Sequence, residues 1–272
     1  MAYKHLSESK AAKIARMIAD LSFCADLSEL ESLFVQQALT VLPGECLAWN
    51  NWAPSWESLI SGRLNGGYHE EFHRHLDAFS ETVSHHPVVR ANQFAASSTA
   101  VLKLTHYQSS ARFRENPLYR EVYRHIDSRF QIAFAPSCLS DRRILLTLNR
   151  KQADFEEEDE ESLDFGGRCL DRIARAIDEK QTLERAWLRL CSIVGEQTGI
   201  GPIQSLGESE LRLLTDLLQK KNISQISVAR KIRRDTVDKR MASIRERLGL
   251  ENNRQLLSAL AELQTSGPLP HE

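Results

Sequence analysis

The stretch Ile223-Ser-Gln-Ile-Ser-Val-Ala-Arg-Lys-Ile-Arg-Arg-Asp-Thr-Val-Asp-Lys-Arg-Met-Ala-Ser-Ile-Arg-Glu-Arg-Leu-Gly-Leu250 decides how the last quarter of this 272-residue chain is read. Val237, Met241, Ile244 and Leu248 recur at i, i+4, i+7 and i+11, one stripe of an α-helix that packs inward. Ile226 and Ile232 complete the apolar set. Asp235, Lys239, Ala242 and Glu246 lie on the opposite side of the wheel, with Asp238 beside them. A helix held to a small core by one face and free on the other has the shape that reading a major groove requires. From Leu206 to Gln264 the order is an apolar helix, a polar break, two short helices joined by a tight turn, and a closing helix. This predicts an all-α four-helix unit with a helix-turn-helix and a recognition helix at about 234–248.

Charge points the same way. Between Leu206 and Gln264 stand twelve Lys and Arg against eight Asp and Glu, a net of +4 in a chain whose total is −2. A basic module on an acidic protein puts the phosphate-facing surface at this end. Arg230, Lys231, Arg233 and Arg234 crowd the turn and the start of the recognition helix. The excess is small and acids share the outer face, so DNA affinity is expected to be moderate and salt-sensitive unless a dimer doubles the contacts.

In this register the segment resembles the helix-turn-helix domain of LuxR-type (GerE-type) transcription regulators. Leu206 and Glu210 match the opening "L-T-x-x-E" of that pattern; Leu213, Leu214 and Leu217 match its first-helix core. Ile226 matches its scaffold helix, Thr236-Val237 its "T-V" pair, and Leu248-Gly249-Leu250 its "L-G-V" ending. Leu256, Leu257 and Leu260 match the last helix. The resemblance implies double-stranded DNA as partner, with Arg233, Arg234, Thr236, Asp238, Lys239, Ala242 and Arg245 as the contact set. Three positions depart from the pattern. Gly207-Glu208 stands for "T-P", Arg230-Lys231 for the Leu-Gly of the central turn, and Asp238 for the Lys that follows "T-V".

Residues 1–178 read as one mixed α+β domain. Ser9–Phe23 and Leu27–Leu42 have helical period, with Pro43-Gly44 as a stop. Glu45–Trp52, Trp56–Ser61, Thr99–Leu104, Arg129–Ala135 and Ile144–Asn149 are predicted strands. His69–Ser84, Pro117–Ile126 and Glu156–Ile177 are predicted helices. This order suits an α/β sandwich of the GAF or PAS kind, serving as a ligand- or partner-sensing or dimerisation domain. His86-Pro87-Val88-Val89, Pro117-Leu118-Tyr119-Arg120-Glu121-Val122-Tyr123-Arg124, Phe130-Gln131-Ile132-Ala133, and Leu148-Asn149-Arg150 with Asp154-Phe155 are similar to blocks of the GAF-like input domain of many LuxR-type regulators. Tyr119, Tyr123 and Phe130 are expected in its core. Autoinducer-binding LuxR proteins carry "D-P-V-V" where this chain has His86-Pro87, with aromatics such as Tyr68, Phe72 and Phe79 on the helix before it. Without that carboxylate the amide of a homoserine lactone lacks its acceptor, so this ligand is not expected.

Residues 179–205 are expected to connect the two domains, with 206–272 as the DNA-binding domain. Ile173, Ile177, Leu183, Trp187, Leu190 and Val194 recur near a 3.5 spacing, broken at Lys180, which suits either a seam of a homodimer or cover for the chain's own sheet. Thr198-Gly199-Ile200-Gly201-Pro202 reads as a linker.

One motif points to an enzyme. His69-Glu70-Glu71-Phe72-His73 matches H-E-x-x-H, which on a helix sets two imidazoles one turn apart around a general base, as in a zinc hydrolase. Glu71 and Arg74 charge its surroundings and no third ligand follows at zincin spacing, so neither metal nor catalysis is expected. No P-loop, G-x-S-x-G or post-strand G-x-G-x-x-G occurs, and no cofactor is expected. Cys24, Cys46, Cys138, Cys169 and Cys191 are odd in number and scattered, which reads as reduced, buried thiols of a cytoplasmic protein. No apolar run reaches membrane-span length and no signal-peptide segment opens the chain. Asp238 and the acids beside it keep one alternative open, a protein–protein adaptor whose helix-turn-helix has lost DNA binding.

Overall fold

The computed structural model describes residues 3–67, 69–94, 101–136, 138–198 and 206–265. The chain divides into two compact units, Met1–Asp178 and Glu179–Glu272.

The first unit is α+β, built on one antiparallel sheet. Strands β1 (Cys46–Trp52), β2 (Leu59–Gly66), β3 (Val101–Lys103), β4 (Phe130–Phe134) and β5 (Arg143–Arg150) lie in the order β2-β1-β5-β4-β3. Side chains alternate along each strand, so successive residues serve opposite faces. Leu47, Trp49, Ile132, Phe134, Ile144, Leu146 and Leu148 point to one core; Cys46, Trp52, Ala133 and Leu145 point to the other.

The first core is covered by α1 (Glu8–Leu21) and α2 (Leu27–Gln37). Ile14, Met17 and Leu21 come from α1; Leu30 and Phe34 come from α2, whose first turn is capped by the Asp26 carboxylate accepting from Glu29 N–H at 2.8 Å. The second core lies under short helices: α3 (His69–His73), α4 (Leu76–Thr82), α5 (Pro87–Phe94), α6 (Leu104–Tyr107), α7 (Ser110–Phe113) and a π-turn at Tyr119–Tyr123. The chain then returns to the first core with α8 (Glu157–Thr198). Gly167 lets this helix approach β4, since a Cβ there would meet the Phe134 ring at 2.5 Å. Four acids in its first turn suit the positive end of the helix dipole.

Several elements differ from the sequence reading. Trp56 belongs to the β1–β2 turn, at φ 64° and buried, and the second strand starts at Leu59. The expected helix His69–Ser84 is broken after His73. A continuous helix would hold residues 72 and 79 about 10 Å apart along its axis, whereas the break brings the Phe72 and Phe79 rings to 5.0 Å, edge to face. The expected helix Pro117–Ile126 is a π-turn, with Arg124 N–H donating to Tyr119 O at 2.7 Å. Glu156–Ile177 and the separate connecting helix are one helix, α8. Of the expected linker Thr198–Pro202, Thr198 ends α8 and residues 199–202 lie outside the described residues, as do residues 99 and 100 of the expected third strand. Cys46 and Cys191 are buried, but Cys138 is exposed, against the expectation of buried thiols; all five are free. Among the described residues no helix is long and apolar enough to cross a membrane.

The second unit is all-α. Helices α9 (Glu208–Leu218), α10 (Ile223–Arg230), α11 (Arg234–Arg247) and α12 (Asn253–Thr265) close around Leu213, Leu214, Leu217, Ile226, Val237, Met241, Ile244, Leu256 and Leu260. Trp187, Leu190, Cys191 and Val194 of α8 belong to the same core. Ile177 belongs instead to the first unit's core, with Ile173 packed against it. The stripe that suits either a dimer seam or cover for the chain's own sheet is buried within its own chain: Ile177 lies in the sheet's core, while Trp187, 5% exposed, and Leu190, fully buried, lie in the core of the second unit. An apolar stripe records that a helix face is covered, and sequence alone does not say by what.

Candidate functional site

In the second unit, α10 begins at Asn222, whose side chain accepts from Gln225 N–H at 2.9 Å while the Gln225 side chain accepts from Asn222 N–H at 2.9 Å. That reciprocal pair fixes the start of the helix. Its end is set by Lys231 in the left-handed region, φ 52° and ψ 41°. Ser227 Oγ donates to Ile232 O at 2.6 Å and locks the turn. Helix α11 follows, pinned by Val237, Met241 and Ile244, all buried.

Glu210 ties α11 to α9. Its carboxylate accepts from Gly207 N–H at 2.9 Å and from Ser243 Oγ–H, and faces Arg247 Nε at 3.6 Å. Burial acts to raise its pKa, but these hydrogen bonds and cations outweigh it and leave the pKa lowered. Asp216, 1% exposed, accepts from Arg230 Nε and Lys221 Nζ, each at 2.7 Å. Here too burial opposes and the two cationic donors prevail, so the carboxyl stays ionised below its ordinary range.

This anchoring leaves one face of α11 in solvent. Arg233, Arg234, Asp238 and Lys239 are exposed together on its first two turns. Arg233 Nε lies 3.3 Å from Asp235 Oδ1. Thr236 and Ala242 are half-buried. Arg245 is half-buried as well, and its Nη1 donates to Asn253 Oδ1 at 3.3 Å, at the start of α12. The predicted set thus separates into an exposed cluster at the start of α11 and an Arg245 drawn toward its neighbour. Arg230, grouped with the exposed cations in sequence, is a brace for α9.

The first unit holds a second site, on the far side of its sheet from α1 and α2. A cavity of about 40 Å³ is walled by apolar groups that include Cys46, Leu64, Phe72, Phe79, Val89 and Leu145, and by Trp52, His86, Tyr123, Gln131 and Asn149. His86 precedes α5, and its Nδ1 accepts from Val88 N–H at 3.1 Å, so its proton is on Nε2. Burial lowers its pKa to about 3, and Gln131, close to the ring without an aligned hydrogen bond to it, offsets this only in part. The imidazole is neutral. Burial likewise raises Tyr123 to about 12, against a smaller opposing effect of Gln131. Gln131 Nε2 donates to Asn149 Oδ1 at 2.8 Å and to Tyr123 Oη at 3.3 Å, which orients its carboxamide. Trp52 Nε1, His86 Nε2 and Gln131 Oε1 are buried without a hydrogen-bond partner.

Of this lining, the sequence reading named His86, Phe72, Phe79 and Tyr123, the last as a core residue, which it also is. It missed Trp52 and Gln131. The signal for Gln131 was present: Gln131, Thr147 and Asn149 are polar at alternate positions of otherwise apolar strands. In the H-E-x-x-H segment, α3 ends at His73; Glu70 and His73 are exposed, and the His69 side chain lies outside the described residues. Among the described residues no cluster of His, Cys, Asp and Glu could hold a metal ion.

No protein-family model matches the chain, and no curated protein does. Solved structures do. SdiA of Escherichia coli is 14% identical, with 94% of this chain and 99% of that chain covered and a TM-score of 0.46. SdiA in complex with octanoyl-rac-glycerol is 13% identical over 92% of this chain and 93% of that one, at 0.44. The VqsR LBD domain of Pseudomonas aeruginosa is 12% identical over 63% of this chain and 99% of that one, at 0.46.

Proposed function

We propose that the protein is a DNA-binding transcription regulator of LuxR type, with an N-terminal sensing domain. One observation carries this reading: α11 buries Val237, Met241 and Ile244 and presents Arg233, Arg234, Asp238 and Lys239 to solvent from its first two turns. In that arrangement the cations at the helix start meet phosphate while Asp238, Lys239 and Ala242 face base edges, with Thr236 and Arg245 at the margins of the contact. The motif register from Leu206 to Leu260 supports the same reading, and the Glu210 of that register has a physical task, the docking of α11 on α9.

Residues 1–178 are the sensing domain in this account. The five-stranded sheet with helices on both faces supports a GAF- or PAS-like architecture, and the cavity with unpartnered polar atoms supports a small-molecule ligand over a purely structural role. A homodimer belongs to the reading because two recognition helices double a small charge excess. Its seam is to be sought away from Trp187 and Leu190. The protein acts in this account as a cytoplasmic regulator, without catalysis or cofactor.

The direct test is to incubate the purified full-length protein with a pool of random duplex DNA and sequence what is retained. The reading predicts a recovered motif. If duplex DNA is not retained even at low salt, the exposed Asp238 favours the adaptor reading in its place.

A further inference from the structure

The cavity of the first unit has a chemistry specific enough to name what enters it. Three side chains in its wall carry unpartnered polar atoms, and all three are buried: Trp52, 2% exposed, His86 and Gln131, each 3%. Leaving such groups unpaired is costly, so they mark where a partner belongs. Their polarities differ. Trp52 Nε1 carries a hydrogen and can only donate. His86 Nε2 also donates, because Nδ1 is occupied as acceptor of the Val88 N–H. Gln131 Oε1 can only accept, its nitrogen being engaged with Asn149 and Tyr123.

Two donors and one acceptor line the same cavity, and a group that both accepts and donates matches all three. The volume of about 40 Å³ holds little more than two or three waters, so that group is small. A hydroxyl satisfies both conditions. A carboxylate would place its charge against the Gln131 oxygen in a wall whose lining holds no Lys or Arg, and an ammonium would meet two donors.

A route for the rest of the molecule exists. A groove of about 370 Å³ lies beside the cavity, lined by Ile60, Arg63 and Leu76 among others, and shares Asn50, Leu64, Phe72 and Phe79 with it. Ile60 is 54% exposed and Leu76 42%. The edge-to-face pair Phe72–Phe79 therefore stands between the buried polar atoms and an open apolar groove, on the two short helices into which this segment is broken.

We propose that the first unit binds a neutral alcohol or phenol. Trp52 Nε1 and His86 Nε2 donate to the hydroxyl oxygen, Gln131 Oε1 accepts from the hydroxyl hydrogen, and the apolar remainder runs past the Phe72–Phe79 pair into the groove. This rests on reading residues 1–178 as a ligand-sensing domain.

The test titrates the full-length protein with 1-heptanol, heptyl methyl ether and heptanoate at neutral pH, following tryptophan fluorescence and melting temperature. Heptanol should bind saturably and raise the melting temperature. The ether, which accepts but cannot donate to Gln131, should bind about tenfold more weakly or worse; heptanoate should not bind. Gln131→Met should erase the difference between alcohol and ether. If that variant does not fold, Trp52→Phe, which removes one donor, should weaken heptanol about tenfold by the melting readout. Equal affinities for alcohol and ether in the unaltered protein, or no saturable binding because the cavity holds only water, would overturn the proposal. Retention on random duplex DNA is measured in the same preparation. Failure of alcohol binding with DNA retention intact rejects the ligand class alone; alcohol discrimination without DNA retention supports the ligand site and rejects the regulator reading.

Discussion

Asp216 of α9 and Arg230 at the end of α10 meet Oδ2 to Nε at 2.7 Å, with the carboxylate 1% exposed and Lys221 on its other oxygen. Two of the cations that make this unit basic are thus engaged in holding α10 against α9. A buried carboxylate so paired is costly to disturb, because removing one partner leaves charge without its match.

Asp216→Asn should destabilise the second unit by about 1–3 kcal/mol at neutral pH, the partly exposed Arg230 and Lys221 recovering some hydration. The folded-state pKa of Asp216 is lowered. Its contribution is therefore present above the unfolded value near ~3.9 and is lost as pH falls through the lowered folded value. Urea unfolding followed by circular dichroism should show the deficit at pH 7 and a shrinking one towards pH 3. A deficit that does not change with pH would contradict this.

Lys231 occupies the left-handed region at the end of α10, where the LuxR-type pattern carries glycine. A side chain there costs roughly 1–2 kcal/mol, part of which glycine gives back through unfolded-state entropy. Lys231→Gly should raise stability by about 0.5–1 kcal/mol in urea. Lower stability would mean that the lysine side chain makes a contact outweighing its backbone strain.

Trp187→Asp with Leu190→Asp should unfold the helices around α9–α12, because both side chains lie in that core. Loss of helical ellipticity together with DNA retention is expected. A well-folded monomer produced from a dimer, seen by light scattering, would restore the seam reading.

Legibility followed the length of the periodic signal. α11 was readable because four apolar residues at helical spacing are bounded by polar breaks, and β1, β4 and β5 because they are short, largely apolar runs buried on both faces. Apart from β3, the short helices between His69 and Phe113 were not, because helices of four to eight residues carry too few turns for a period. Phe72 and Phe79 fit one long helix as well as two short ones, and only packing over the cavity selects the broken form. Arg230 and Arg233 look alike in sequence; one braces a buried acid while the other faces the exposed Asp235, and nothing local separates them. Trp187 and Leu190 were legible as buried but not as to what covers them. Trp52 became visible as a site residue only when the fold left its indole N–H without a partner, whereas Gln131 is marked in the sequence by its polarity in an apolar strand.

Asp238 is exposed on α11 where the LuxR-type pattern has lysine. A carboxylate beside phosphates costs affinity unless it accepts a hydrogen bond from a base, and the exocyclic amino group of cytosine is the usual partner; Lys239 beside it suits guanine O6 or N7, and Ala242 a thymine methyl. Asp238→Lys should raise affinity for random DNA while relaxing a cytosine preference at one position, a discrimination of about 1–3 kcal/mol. Unchanged affinity and unchanged preference in a bound-DNA sequencing comparison would make Asp238 a solvated bystander.

The central claim is that the start of α11 lies on DNA, and the salt dependence of binding tests it most directly. Binding of the full-length protein to random duplex DNA should weaken linearly on a log–log plot as salt rises. Arg233→Ala with Arg234→Ala should weaken it further at low salt and flatten the slope by about 1.8, the loss of two phosphate contacts. A double variant that matches the unaltered protein at every salt concentration, or an unaltered protein that does not bind duplex DNA at all, would contradict the account.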